Sequence, residues 1–396
     1  MRISLALLSS AILSACCAFA TAQTSDPATI RARDLGVPFE GTPGPLNAIT
    51  DVAGVEVGQT TLIQGDGALK VGEGPVRTGV TVILPRGTKN PDPVYAGWFS
   101  LNGNGEMTGT TWVEESGLLA GPVGITNTHS VGVVRDSIIA WALKSGFMHE
   151  DEWSLPVVAE TWDGWLNDIN GFHVKPEDVF AALSAAKGGP VAEGNTGGGT
   201  GMVCYGFKGG TGTASRVLAK ADGGYTVGVL VQCNCGRRPQ LTIAGVPVGR
   251  EIPGNEPYAE VHPNARPGNE ARSDVGSIII VIATDAPLLP HQLKRLARRA
   301  SMGLARTGSV SGNGSGDIFI AFSTSNKEID VAPGPNAVLT VSNERITPLF
   351  TATVEATEEA IVNAMVGAKT MTGIDGRTVI ALPHDRLQQV LKKFNR

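Results

Sequence analysis

Ser277 is the residue whose surroundings suggest chemistry. It opens the run Ser277-Ile278-Ile279-Ile280-Val281-Ile282-Ala283-Thr284, with Gly276 before it and a long polar tract, about 251–274, before that. The tract is full of Pro, Gly, Asn and charge, so it reads as an exposed loop. The β-branched run is too apolar for the surface and too short to span a membrane, which makes it a buried strand. A cut before Ser277 would give one residue both a hydroxyl and a free α-amine. Such an amine has a reference pKa of about 7.7–8.0, so near neutral pH an appreciable fraction is an unprotonated base. Serine or threonine activated by its own amine is an established nucleophile–base pair. The plainer reading of the pattern is a Gly-Ser junction that simply starts a core strand.

A nucleophile of this kind needs an oxyanion donor, a polar relay and a group that selects the substrate. Asn234, at the end of the apolar run 225–232, offers a side-chain amide, worth about 2.7–4 kcal/mol where such a donor meets a tetrahedral oxyanion. Ser315 and Asp317 flank Gly316 in a turn, where hydroxyl and carboxylate can reach a neighbouring amine. Glu160, at the end of an apolar strand, can pair with a cationic amine. Taken singly, these residues also fit a turn Asn, an Asx-type turn and a solvated strand-end acid. None of the six histidines has a zinc-ligand spacing, and there is no Gly-x-Ser-x-Gly elbow. The glycine cluster 194–202 lacks the Gly-Lys-Ser/Thr ending of a phosphate loop, so tight turns are expected there. No metal and no organic cofactor is expected.

The 396 residues are 42% hydrophobic and 17% charged, enough for a large core. Net charge is −5, or −6 once Arg2 is removed, and no basic patch stands out, which argues against a nucleic-acid partner. Residues 1–22 read as an export signal, with Arg2 as the charged start and Ala20-Thr21-Ala22 as a small-residue cleavage site. Leu13-Ser14-Ala15-Cys16 also resembles a lipoprotein box, so Cys16 is a second candidate for processing. Either route implies export, most simply to a periplasm. No later segment has the roughly 18 apolar residues of a membrane span. Cys204, Cys233 and Cys235 remain after the leader, and an odd number argues for buried thiols rather than a disulfide framework.

The elements that must position these residues are legible in outline. Residues 23–45 read as a loose arm, Ile49–Gly58 and Gly79–Pro85 as strand material, and 92–112 as a Gly/Asn-rich loop. Helices are expected over about 131–144, 176–187, 290–306, 354–371 and 383–395. Strands are expected at 156–163, 225–232, from 277 to about 285, 318–322 and 378–382, and 124–130 reads as a short strand running into a turn. This mix is α/β, with helices packed on a layered sheet.

Four segments, Pro156–Gly164, Val231–Gly236, Gly276–Val281 and Gly314–Asp317, resemble motifs of the exported β-peptidyl aminopeptidases. These enzymes share a family of self-processing peptidases with the L-aminopeptidase/D-esterases, and the similarity runs in order through nearly the whole mature chain. The resemblance implies an αββα sandwich like that of N-terminal nucleophile hydrolases, with different strand connectivity, and tetramers of αβ units. It implies self-cleavage of Gly276–Ser277 into an α chain 23–276 and a β chain 277–396. Ser277 would be the nucleophile, Asn234 the oxyanion donor, and Ser315 and Asp317 the groups that tune the Ser277 amine and hydroxyl. Glu160 would bind the free amino group of a small peptide or amino acid amide. Trp162, two residues on, resembles the β-peptidyl branch, since Tyr is expected in the esterase branch. L-aminopeptidase/D-esterase activity is the alternative, and an uncut exported binding protein is the alternative of another class.

Overall fold

The β-branched runs pair into two sheets. The computed structural model describes residues 30–257, 276–327, 329, 334, 335 and 337–396. The proposed leader with Cys16, and most of the 251–274 tract, lie outside the described residues.

One sheet has the order β1-β2-β5-β6, from β1 (Glu56–Gln64), β2 (Val76–Leu84), β5 (Val123–Asn127) and β6 (Val157–Thr161). The other runs β4-β3-β12-β11-β10-β9. Its members are β3 (Val94–Ser100), β4 (Leu118–Leu119), β9 (Gly210–Val217), β10 (Thr226–Asn234), β11 (Ser277–Thr284) and β12 (Gly316–Ser323). Period-two alternation splits β11 between two cores. Ile279, Val281 and Ala283 pack between the sheets with Ile125, Val157 and Phe322. Ile278, Ile280 and Ile282 pack on the outer face with Leu293, Leu296 and Ala360. The outer face of the smaller sheet is covered by α2 (Val131–Ser145) and α3 (Pro176–Ser184). That of the larger sheet is covered by α5 (Pro290–Arg306) and α6 (Thr347–Val366). The result is the expected αββα layering. β5–β6 and β11–β12 are parallel pairs, so each needs a crossover, supplied by α2 and α5.

The remaining elements are small. α1 (Thr110–Ser116) precedes β4, α4 (Val248–Glu251) follows β10, and α7 (His384–Lys393) ends the chain. β7 (Val203–Cys204) and β8 (Phe207–Lys208) form one tiny hairpin, β13 (Met371–Thr372) and β14 (Thr378–Val379) another.

Several expectations need correction. The Gly/Asn-rich segment 92–112 contains β3, and β9 was also missed. Both strands carry glycines that look like turn signals but serve close packing. A Cβ on Gly97 would lie 2.4 Å from the Lys294 backbone nitrogen of α5, and one on Gly212 only 2.1 Å from the Ala360 carbonyl oxygen of α6. α6 starts seven residues earlier than expected, with Pro348 in its first turn, and is buried nearly all round. The last strand is two residues, not five. The described part of the arm is pinned rather than loose. Arg31 pairs with Glu193 at 2.7 Å and Arg33 with fully buried Glu359 at 2.8 Å. Finally, Cys204 and Cys233 are buried as expected but joined in a disulfide, with Cα atoms 5.9 Å apart. The hairpin 203–208 carries Cys204 to β10, a contact between residues 29 apart that spacing alone does not reveal.

Candidate active site

Sheet register assembles the nucleophile end. β10 ends on Asn234, β11 begins on Ser277 and β12 begins on Gly316, and the ladder sets Asn234 opposite Ser277 and Ser277 opposite Gly316. Directly opposed residues share a face, so these three form one row at the rim of the space between the sheets. The Gly316 N–H donates to Ser277 Oγ at 3.1 Å. Asp317, one residue on, lies within β12 rather than in the turn before it. Its Oδ1 accepts from Ser315 Oγ at 2.6 Å and from the Ile278 N–H at 3.2 Å, so the Ser315–Asp317 pair grips the backbone just after Ser277. The Asp317 N–H donates to Asn102 Oδ1 at 2.6 Å.

The Asn234 carboxamide is held at both ends. Its Oδ1 accepts from the Val203 N–H at 2.8 Å and its Nδ2 donates to the Trp162 carbonyl at 3.0 Å. An amide nitrogen has two hydrogens, so one remains for an oxyanion. Gly276 is pressed against the same strand end. A Cβ there would lie 2.8 Å from the Asn234 carbonyl oxygen and 2.8 Å from Cys235 Cα. The residue before Ser277 is therefore required to be glycine on steric grounds.

Glu160 closes the other side. It is only 3% exposed; Oε1 accepts from the Glu106 N–H at 3.1 Å and Oε2 from Thr128 Oγ1 at 2.5 Å. Burial pushes its carboxyl above the usual range, and these two hydrogen bonds pull it partly back. The 102–106 loop joins Glu160 to the nucleophile row. A Cβ on Gly105 would lie 3.0 Å from Gly316 Cα and 3.3 Å from Glu160 Oε1. Gln232, two residues before Asn234, ties the sheets together by donating to the Thr126 carbonyl and Thr161 Oγ1, both at 2.8 Å. Trp162 meets the site through its carbonyl. Its indole folds back over Gly164, where a Cβ would lie 2.7 Å from Nε1.

All six residues singled out in the sequence (Glu160, Trp162, Asn234, Ser277, Ser315 and Asp317) thus lie at one end of the sandwich. Others around them went unnoticed. Thr128 and Asn102 stand in segments read as turn and loop, and only the fold shows which carboxylate or amide they touch. Asp163 and Lys208 are both fully buried. Burial raises Asp163 to about 7, opposed by the neighbouring Thr78, Asn167 and Asn127, of which Asn167 Nδ2 donates to its carboxyl at 3.0 Å. Burial also lowers Lys208 to about 7, with the Asp163 charge opposing. A lone Asp and a lone Lys in polar surroundings carry no sequence signal of burial.

Residues 47–379 match the model of peptidase family S58. The chain is 56% identical over 375 residues to a β-peptidyl aminopeptidase BapA of Sphingosinicella microcystinivorans, covering 92% of this chain and 93% of that one. A β-aminopeptidase from Burkholderia sp. superposes with a TM-score of 0.80 at 48% identity, covering 92% of this chain and 99% of that one. An L-aminopeptidase D-Ala-esterase/amidase from Ochrobactrum anthropi, described as a variant of the Ntn hydrolase fold, superposes with a TM-score of 0.82 at 50% identity, with the same coverages.

Proposed function

Because the chain belongs to peptidase family S58, we propose that it is a self-processing serine aminopeptidase that releases N-terminal β-amino acids from small peptides and amides. The observation that carries this reading is the Asn234–Ser277–Gly316 row, with the Ser315–Asp317 pair behind it and Glu160 across from it. The uncut chain has the hydroxyl in place but no free amine. Attack of Ser277 Oγ on the Gly276 carbonyl moves that acyl group from nitrogen to oxygen. Water then cleaves the ester, leaving a Gly276 carboxylate and a free Ser277 amine.

In turnover, the substrate ammonium docks on Glu160 and its first carbonyl meets Ser277. The Ser277 amine takes the hydroxyl proton as the acyl bond forms, and Asn234 Nδ2 faces the oxyanion. The leaving amine receives that proton, and water releases the N-terminal residue. Glu160 selects for a free amino terminus, which limits the enzyme to one residue per cycle.

The β-amino acid preference is supported by Trp162 and by the 56% relative. The 50% identity to the L-aminopeptidase D-Ala-esterase/amidase favours a second reading, hydrolysis of α-amino acid amides and esters. A panel of β-homo-, L- and D-amino acid amides separates them. Fastest release from the β-homo amides is expected, and an exclusive preference for L-α or D-α substrates would replace the first reading with the second. The leader pattern and the Cys204–Cys233 disulfide both suit export to an oxidising compartment. Assembly as tetramers of αβ units belongs to the same proposal, and sedimentation of the cut enzyme tests it.

A further inference from the structure

Lys208 and Asp163 are buried titratable groups that no step above uses. Lys208 Nζ donates to the carbonyls of Met202 at 2.8 Å, Gly209 at 3.0 Å and Gly199 at 3.5 Å. Three donors meet three carbonyls, of which those of Met202 and Gly199 already accept from the Gly209 and Met202 N–H groups. Burying an amine and a carboxyl away from water costs free energy that an apolar chain of the same length would avoid. What the pair holds is informative. Residues 199–203 run between them: Lys208 binds the Met202 carbonyl, and a Cβ on Gly201 would lie 2.8 Å from Asp163 Cβ. The next N–H along, Val203, is the donor to Asn234 Oδ1. Asp163 itself follows Trp162, whose carbonyl is the acceptor for Asn234 Nδ2. Asn167 Nδ2 fixes the Asp163 carboxyl at 3.0 Å. Both bonds that orient the Asn234 amide are therefore anchored next to one member of this pair.

We infer that Lys208 and Asp163 are positioning residues for the Asn234 carboxamide, acting through the Met202–Val203 and Trp162–Asp163 backbone. The inference rests on the oxyanion role proposed for Asn234. An amide free to turn over would present its oxygen, an acceptor, to a developing negative charge, and a shift of about 1 Å at such a donor can cost about 100-fold in rate.

The test is a double-mutant cycle between Lys208→Met and Asn234→Ala, read on kcat, on KM for the best amide of the panel, and on the rate of self-cleavage. Lys208→Met is expected to lower kcat about 10- to 100-fold with KM within about twofold. Combined with Asn234→Ala it should lose no more than Asn234→Ala alone, because both changes remove one function. A purely structural lysine would leave kcat of the folded fraction unchanged, or would give losses that multiply; either result overturns the inference. Should Lys208→Met fail to fold, the same cycle with the near-isosteric Asp163→Asn decides it by the same criteria. A full loss in Asn234→Ala beside an unaffected Lys208→Met overturns this inference alone, whereas wild-type rates in Asn234→Ala remove the oxyanion role and the inference with it.

Discussion

The two sheets deliver their site residues by different physics. On the six-stranded sheet, Asn234, Ser277 and Gly316 are set side by side by ladder register, so a slip of one residue would turn all of them to the wrong face. On the four-stranded sheet, Glu160 sits at a strand end and is fixed from outside, by the Glu106 N–H of a loop and by the Thr128 hydroxyl. On the proposed roles, the nucleophile is placed by ladder register and the substrate-binding carboxylate by hydrogen bonds from a loop and a hydroxyl. Such a division would let substrate choice change while the nucleophile stays put, because loops tolerate substitution better than ladders.

Mutations at the two ends should therefore fail differently. Ser277→Ala has the largest effect: one uncut chain on a denaturing gel and a loss of turnover on the order of 10⁶-fold. A processed Ala variant would show that another group cuts the chain. Next comes Asn234→Ala, expected to lower kcat by about 10²–10³ and to slow self-cleavage, since both reactions pass through an oxyanion. Intact KM beside the kcat loss is the signature to look for in single-turnover kinetics.

The recognition end should separate processing from turnover. Glu160→Gln is expected to cut itself normally yet lose about 1.5–3 kcal/mol of substrate binding, roughly 10- to 150-fold in kcat/KM. The sign of its pH dependence follows from burial. The Glu160 carboxyl is raised above its ordinary 4.5, and only its ionised form holds an ammonium. Wild-type KM should therefore climb as pH falls through that raised value, and the climb should vanish in Glu160→Gln. An identical acid limb in the variant would remove Glu160 from the amine pocket.

The smallest effect tests the joint between the two ends. In Gly316→Ala the new Cβ would lie 2.4 Å from the Asn104 carbonyl oxygen, so the 102–106 loop must move. A stability loss of about 1–3 kcal/mol by thermal melting is expected, with KM raised more than kcat is lowered. Unchanged KM would mean that the loop does not carry Glu160's alignment.

The same contrast explains what the sequence disclosed. The start of β11 and the span of α5 were legible, because a β-branched run after a polar tract and a Pro-started apolar stripe each have one good interpretation. The place of Ser277 as the first residue of that strand was legible for the same reason. The partners of Glu160 were not: Thr128 and the Glu106 N–H meet it only after β5, β6 and the 102–106 loop converge. Strands β3 and β9 hid behind glycines whose role is to admit helices, and the 204–233 disulfide behind a hairpin that folds back on β10. Lys208 and Asp163 were invisible because their burial is a property of the glycine-rich turn around them.

Whether Ser277 becomes a chain start is open to direct measurement. Purified, active protein should run as two polypeptides on a denaturing gel, and N-terminal sequencing of the smaller should read Ser-Ile-Ile-Ile. Full activity from a single polypeptide, unbroken between Gly276 and Ser277, would contradict an amine-activated serine.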